Sequence, residues 1–217
     1  VVNGLRKVLA ALAFCLIGVD VAAGPVTIAA LGDSLTQGYG LPQGEGFVPR
    51  LQAWLRAHGA EVEVTNAGVS GDTTAGGAAR IGWTLTPEVD GLIVALGGND
   101  LLRGIDPAAT RANLEAILAA AEAAGVPVLL VGMKAPGNYG EDYKRAFDAI
   151  YPELAEAHGT LFFPNFLAGI APQGSDPAAV LAYLQPDAIH PNAEGVARIV
   201  GAMGPKVLEL VERARSR

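Results

Sequence analysis

The chain has 217 residues, of which 51% are hydrophobic and 17% charged, with a net charge of −7. That length suits one domain whose core needs no covalent staples, and the low charged fraction excludes long disordered polar segments. No basic stripe is present, which disfavours nucleic-acid binding, and the single cysteine, Cys15, excludes an intramolecular disulfide and a cysteine-built metal site.

Arg6 and Lys7 precede the apolar stretch VLAALAFCLIGV (8–19), and VAAG (21–24) offers small residues for cleavage after Ala23. This is the pattern of a secretory signal peptide over residues 1–23; a buried N-terminal helix is the plainer alternative. The apolar stretch is short for a membrane span. Phe14 before Cys15 is not the small residue that a lipid-attachment site uses. The expected product is therefore exported, periplasmic or secreted, with no stable membrane insertion after signal removal. Residues 24–217 are expected to form one domain.

After Gly24, apolar runs alternate with amphipathic ones. VTIAAL (26–31) reads as a buried strand that ends in a Gly-Asp-Ser turn. FVPRLQAWLRAHG (47–59) has helical spacing and a glycine stop. EVEVTNAG (61–68) alternates, as a strand near a sheet edge does. TTAGGAARIGW (73–83) is weakly helical. DGLIVALGGND (90–100) is a strongly apolar strand followed by a Gly-Gly turn. DPAATRANLEAILAAAEAAG (106–125) is the clearest helix, with Asp106 as N-cap, Pro107 at the first position and Gly125 at the end. VPVLLVGM (126–133) is the next strand. EDYKRAFDAIYPELAEAHG (141–159) reads as a helix bent or interrupted near Pro152. TLFFPNF (160–166) is a short strand, and residues 191–217 form a C-terminal helix with a kink expected near Pro205. Strands and helices in alternation, with continuous apolar strands, predict a parallel α/β sheet covered on both faces with right-handed crossovers.

Sites in such sheets form beyond the carboxyl ends of the strands. The turns there are GDSLTQGYG (32–40), NAGVSGDT (66–73), GGND (97–100) and MKAPGNYG (133–140). Each carries glycines that free backbone N–H groups, and such a cluster of donors fits a developing oxyanion. Ser34, in the first turn, is a candidate nucleophile, and a serine needs a base. His58 and His158 both sit before a glycine at helix ends, where the helix dipole alone favours them. His190 lies in LQPDAIHPN, a proline-bracketed loop, with Asp187 three residues before it. That spacing lets the carboxylate reach one ring nitrogen and leaves the other for the serine. By itself D-x-x-H is equally the mark of an exposed loop.

The four segments GDSLTQGYG, NAGVSGDT, GGND and DAIHPN, in that order over nearly the whole chain after residue 25, resemble the blocks of the GDSL or SGNH hydrolases. GDTTAGGAARI (71–81), ALGGNDLLRG (95–104) and NYGEDYKRAFDAIYPELA (138–155) resemble its secreted arylesterase, acyl-CoA thioesterase I and lysophospholipase branch. The resemblance implies a flavodoxin-like three-layer α/β/α sandwich with a five-stranded parallel sheet. It implies Ser34 as nucleophile, His190 as base and Asp187 as its orienting acid. The Ser34 and Gly71 backbone N–H groups and the Asn99 amide would form the oxyanion hole. The implied substrate is a small acyl ester or thioester, with no cofactor and no metal, and a monomer is expected. A carbohydrate acetylesterase is the nearest rival reading. A flavodoxin-like ligand-binding module is the non-enzymatic one, disfavoured because no phosphate-binding glycine motif is present.

Other residues invite readings of their own. Asp33 and Asp100 are expected to brace their turns rather than bind metal, and Asn66 to tie two turns together. Tyr39, Leu41 and Leu101 are candidates to line an acyl pocket. LLRGID (101–106) and APGNYG (135–140) are candidate rims of the site. Arg103 either meets a charged leaving group or is a solvated charge. Trp54 and Trp83 are expected to be packing residues.

Overall fold

Strands that are apolar on both sides demand cover on both faces. The computed structural model describes residues 24–172 and 175–217; the signal peptide expected over 1–23 lies outside the described residues. Five strands, β1 (Val26–Gly32), β2 (Val62–Gly68), β3 (Gly91–Ala95), β4 (Val128–Val131) and β5 (Leu161–Phe163), form one sheet in the order β2-β1-β3-β4-β5. All four pairings are parallel. The helices are α1 (Ser34–Gln37), α2 (Phe47–Ala57), α3 (Thr74–Thr84), α4 (Gly98–Leu102), α5 (Pro107–Ala123), α6 (Glu141–Ala157), α7 (Pro177–Leu181) and α8 (Ala193–Arg215).

The twofold alternation of strand side chains sorts the core into two halves. Ile28, Ala30, Ile93, Ala95, Leu129 and Val131 face a cluster built from α2 and α8, including Leu51, Leu55, Met203 and Val207. Ala29, Leu31, Leu92, Val94 and Leu130 face the opposite cluster from α3, α5 and α6, including Ile81, Leu114, Ile117 and Phe147. The result is the expected three-layer α/β/α sandwich. In β2, Val62 and Val64 are buried while Glu63 and Thr65 are exposed, the signature of the edge strand that it is.

α5 is capped as its sequence predicts, with the Asp106 side chain accepting from the Ala108 N–H at 2.9 Å. Neither proline interrupts its helix. Both α6 and α8 run on through Pro152 and Pro205 as single helices. A helix-interior proline removes one backbone hydrogen bond, but both prolines are exposed, so the carbonyl each leaves free can be met by water. The GGND segment, expected as a turn, opens the short helix α4, and the GDSLTQ segment contains the single-turn helix α1. Trp83 departs most from expectation: it is 88% exposed at the end of α3, outside both core clusters of the described residues. Trp54 does pack, over Gly204 of α8.

Tyr151, fully buried in the α3/α5/α6 half, donates its hydroxyl to the Leu96 carbonyl at 2.8 Å, just beyond the end of β3. Tyr151→Phe leaves that buried carbonyl without its donor and should cost about 1–2 kcal/mol of stability. Urea unfolding measures it; an unchanged midpoint would show the bond to be dispensable.

Candidate active site

The carboxyl ends of the strands open into a cleft of about 650 Å³. Ser34, Gly71, Asn99 and His190 all line it, although they come from four separate stretches of sequence. Each is placed by a distinct local device.

Ser34 is the first residue of α1, two residues beyond the last pairing of β1. Asp33 caps that helix, its carboxylate accepting from the Leu35 N–H at 3.0 Å. Gly32 lets the chain fold back tightly, since a Cβ there would lie 2.0 Å from the Thr36 hydroxyl oxygen.

His190 sits in the loop before α8. Its Nε2 lies 2.9 Å from Ser34 Oγ, across 156 positions of sequence. Its Nδ1 lies 2.6 Å from Asp187 Oδ2. Since an ionised carboxylate only accepts, Nδ1 carries the proton and Nε2 is free to accept from the serine. Asp187 Oδ1 meanwhile accepts the Ile189 and His190 N–H groups, each at 3.0 Å. The His190 side chain and then these backbone donors hold the Asp187 carboxyl down at about 2.

Two residues that sequence reasoning passed over brace this loop. The Gln185 amide donates to the Tyr39 carbonyl at 2.8 Å and the Pro191 carbonyl at 3.0 Å, tying the histidine loop to the segment after Ser34. Asn192 caps α8 by accepting from the Gly195 N–H at 2.9 Å, and its amide donates to the Ala182 and Leu184 carbonyls. The one available signal was Asn192 just before a helical pattern, a helix-start signature. Nothing local marked Gln185.

Gly71 lies in the turn closed by the Asp72 N–H on the Val69 carbonyl at 3.0 Å, and its φ of +80° is a conformation that favours glycine. Arg103, exposed at the cleft edge, donates to the Gly71 carbonyl at 2.8 Å. Asn99, in α4, directs its amide to Asp33 Oδ2 at 3.4 Å.

Asp33 is 2% exposed. Burial pushes its carboxyl up to about 6, against the lowering effect of the Leu35 N–H and the Asn99 amide. Asp100 is also buried, accepting from the Thr74 N–H and from the Thr74 and Thr110 hydroxyls. Rather than bracing its own turn, it ties α4 to the starts of α3 and α5. Asn66 ties the end of β2 to α1, donating to the Gln37 carbonyl at 3.2 Å. No group of three or more metal-ligating side chains comes together among the described residues.

The candidate pocket residues separate. Leu101 and Tyr39 line the cleft, and the Tyr39 ring lies 4.7 Å from that of His190. Leu41 does not line it; it packs against the α2/α8 half of the core. The two expected rims meet across the cleft, where the Tyr139 hydroxyl donates to the Leu102 carbonyl at 3.3 Å. Leu35, Met133, Leu167 and Leu184 complete the apolar walls. His58 and His158 stay at the ends of α2 and α6. His58 stacks on Trp54 at 3.6 Å, and His158 Nδ1 lies 3.4 Å from Glu122.

A hydroxyl bonded to a neutral imidazole, itself oriented by a carboxylate, is equipped for nucleophilic attack. Comparison with known proteins points the same way. The model of the GDSL-like Lipase/Acylhydrolase family matches residues 30–198. Esterase TesA of Pseudomonas aeruginosa is 38% identical over 186 residues, covering 85% of this chain and 89% of its own. Thioesterase 1/protease 1/lysophospholipase L1 of Escherichia coli K12 is 35% identical over 193 residues, covering 88% of this chain and 87% of its own. The crystal structure of AlinE4, an SGNH-hydrolase family esterase, is 44% identical with a TM-score of 0.70, covering 86% of this chain and 97% of its own.

The raised Asp33 pKa has a measurable sign. Between about pH 4 and pH 6 the folded state keeps a proton that the unfolded chain releases. This contribution to stability is present below that window and is lost as pH rises through about 6. Asp33→Asn lacks it. The stability of the variant relative to wild type should therefore shift in the variant's favour by on the order of 1–3 kcal/mol from about pH 4 to about pH 7. Denaturant unfolding at the two pH values tests this, and a constant gap would contradict a raised pKa.

Proposed function

The chain belongs to the GDSL-like lipase/acylhydrolase family and is a serine hydrolase acting on ester bonds, and from that premise we propose that it cleaves acyl esters and thioesters through an acyl-enzyme on Ser34. The observation that carries this reading is the pair of bonds on one imidazole, 2.9 Å to Ser34 and 2.6 Å to Asp187. Ser34 Oγ attacks the carbonyl carbon while its proton passes to His190 Nε2. The carbonyl electrons move to oxygen, and the Ser34 and Gly71 N–H groups and the Asn99 amide stabilise that oxyanion. Asp187 stabilises the imidazolium. The oxyanion collapses, the C–O or C–S bond breaks, and the leaving alkoxide or thiolate takes the proton from His190. Water, deprotonated by the same imidazole, then attacks the acyl carbon. The carboxylic acid leaves and Ser34 is restored.

The walls formed by Leu35, Leu101, Met133, Leu167 and Leu184 support an acyl chain rather than an acetylated sugar as the group received. Residues 1–23 act as an export signal in this reading, placing a monomeric mature enzyme in the periplasm or outside the cell. N-terminal sequencing of the processed protein should begin at Gly24.

Ser34→Ala should keep its melting temperature and lose both ester hydrolysis and labelling by a fluorophosphonate; a folded Ser34→Ala that still turns over would refute the nucleophile. Asn99→Ala should lose on the order of 100- to 1000-fold in kcat. Asp187→Asn should lose on the order of 1000- to 10000-fold, because the imidazole then takes the wrong tautomer. A panel of p-nitrophenyl esters from acetyl to palmitoyl should show activity beyond the acetyl ester. Strict acetyl preference would favour the sugar acetylesterase instead.

A further inference from the structure

Arg80, on α3, reaches back beneath the cleft and gives all three faces of its guanidinium to different segments. Nε donates to Asp72 Oδ2 at 2.7 Å, Nη1 to the Ala67 carbonyl at 2.7 Å and Nη2 to the Gly32 carbonyl at 2.9 Å. Gly32 is two residues before Ser34, and Asp72 comes directly after Gly71. The last pairing between β1 and β2 joins Gly32 to Gly68. Beyond it the two chains leave the ladder, and the sheet no longer sets the distance between the Ser34 turn and the Gly71 turn. The guanidinium ties the Gly71 turn, through Asp72, back to the strand-end carbonyls of Gly32 and Ala67, alongside the bonds that Asn66 and Ser70 make to Gln37. The Gly32 carbonyl also accepts the Val69 N–H at 3.0 Å, so donors from two directions fix it. Arg80 and Asp72 are largely buried, with side chains 24% and 13% exposed, which limits solvent screening of their ion pair. A lysine ammonium is a compact point charge that cannot present three planar donors to these three acceptors.

We infer that Arg80 is a positioning residue for the oxyanion hole, setting the separation between the Ser34 and Gly71 N–H groups. This rests on the assignment of those two groups as oxyanion donors. The ground-state ester is held by the apolar walls of the cleft, to which Arg80 does not contribute. Loss of the clamp therefore falls on the transition state and not on substrate binding. Misplacement of a reacting group by about an ångström costs about 100-fold.

The test compares Arg80→Lys and Arg80→Ala with Arg56→Ala. Arg56 makes a similar arginine-to-carbonyl bond, to Val62 at 2.9 Å, at the opposite end of β2. Fluorophosphonate labelling counts the intact sites in each preparation, so kcat is expressed per labelled enzyme. Both Arg80 variants should lose about 10- to 100-fold in kcat with KM changed less than about threefold. Affinity for a trifluoromethyl ketone, which mimics the tetrahedral adduct, should fall by a similar factor. Ethylguanidinium should restore part of the kcat of Arg80→Ala. Arg56→Ala should lose stability but keep its kcat per labelled site. If Arg80→Ala does not fold, the Arg80→Lys split of kcat from KM decides alone. An unchanged kcat per labelled site, or an equal loss in Arg56→Ala, would overturn the role of Arg80 while leaving the Ser34 assignment intact. Failure of the wild type to label at Ser34 would overturn the site assignment, and with it this inference.

Discussion

Pairing of β1 with both neighbours aligns Gly32 with Gly68 on one side and with Ala95 on the other. The three strands therefore end at one level. The residues just past each strand end must then project into one volume: Asp33 and Ser34 after β1, Ser70 and Gly71 after β2, Gly98 and Asn99 after β3. A parallel sheet sets this alignment through side chains buried on both faces, because a slip of one residue would send every core side chain to the wrong half. Each half takes one large side chain from β1, Ile28 on one face and Leu31 on the other, so a slip would carry both to the wrong face. Core packing thus positions the site, and the turns add the final adjustment.

Two carboxyl groups close to the serine are treated in opposite ways by their surroundings. Asp187 lies in a partly exposed loop and receives three donors, so its charged form is favoured. Asp33 lies under the cleft floor, where burial outweighs the donors it receives. The contrast arises from position rather than residue type. The solvated carboxylate can stay ionised beside an imidazolium, as the proposed chemistry requires. The buried one serves as a local brace, holding the α1 N-terminus and the Asn99 amide together.

The layered architecture was legible because period-two and period-3.6 patterns report burial directly. The buried strands and the capped helix α5 needed no tertiary information. Three of the four blocks that line the cleft were legible because each combines glycines with a chemically capable side chain in a short span, and the fourth, DAIHPN, because it sets an acid three residues before a histidine in a proline-bracketed loop. The misread features depended on neighbours distant in sequence. Leu41 turned into the core because α2 and α8 meet beside it. Trp83 stayed exposed although its size suggested a packing role, since it falls on the solvent side of the last turn of α3. Pro152 and Pro205 lie within unbroken helices on their exposed sides, a fact about rotation and not about composition. Arg80 and Gln185 are polar residues in ordinary surroundings. Only the folded backbone, bringing Ala67, Gly32 and Asp72 around one and Tyr39 and Pro191 around the other, gives them anything to do.

The bond between His190 and Ser34 joins the two ends of the domain. During synthesis the N-terminal strands emerge before the loop and helix that carry His190. At that stage the serine stands alone, a hydroxyl with no group to take its proton. The loop that bears the imidazole is anchored by Asn192 at the start of α8, and α8 buries its apolar face across the last open side of the sheet. In the proposed mechanism, closing the core and bringing the base to the serine are therefore coupled. In the proposed mechanism, a chain whose last helix has not docked holds its serine apart from the base, so hydrolysis would report the docking of α8.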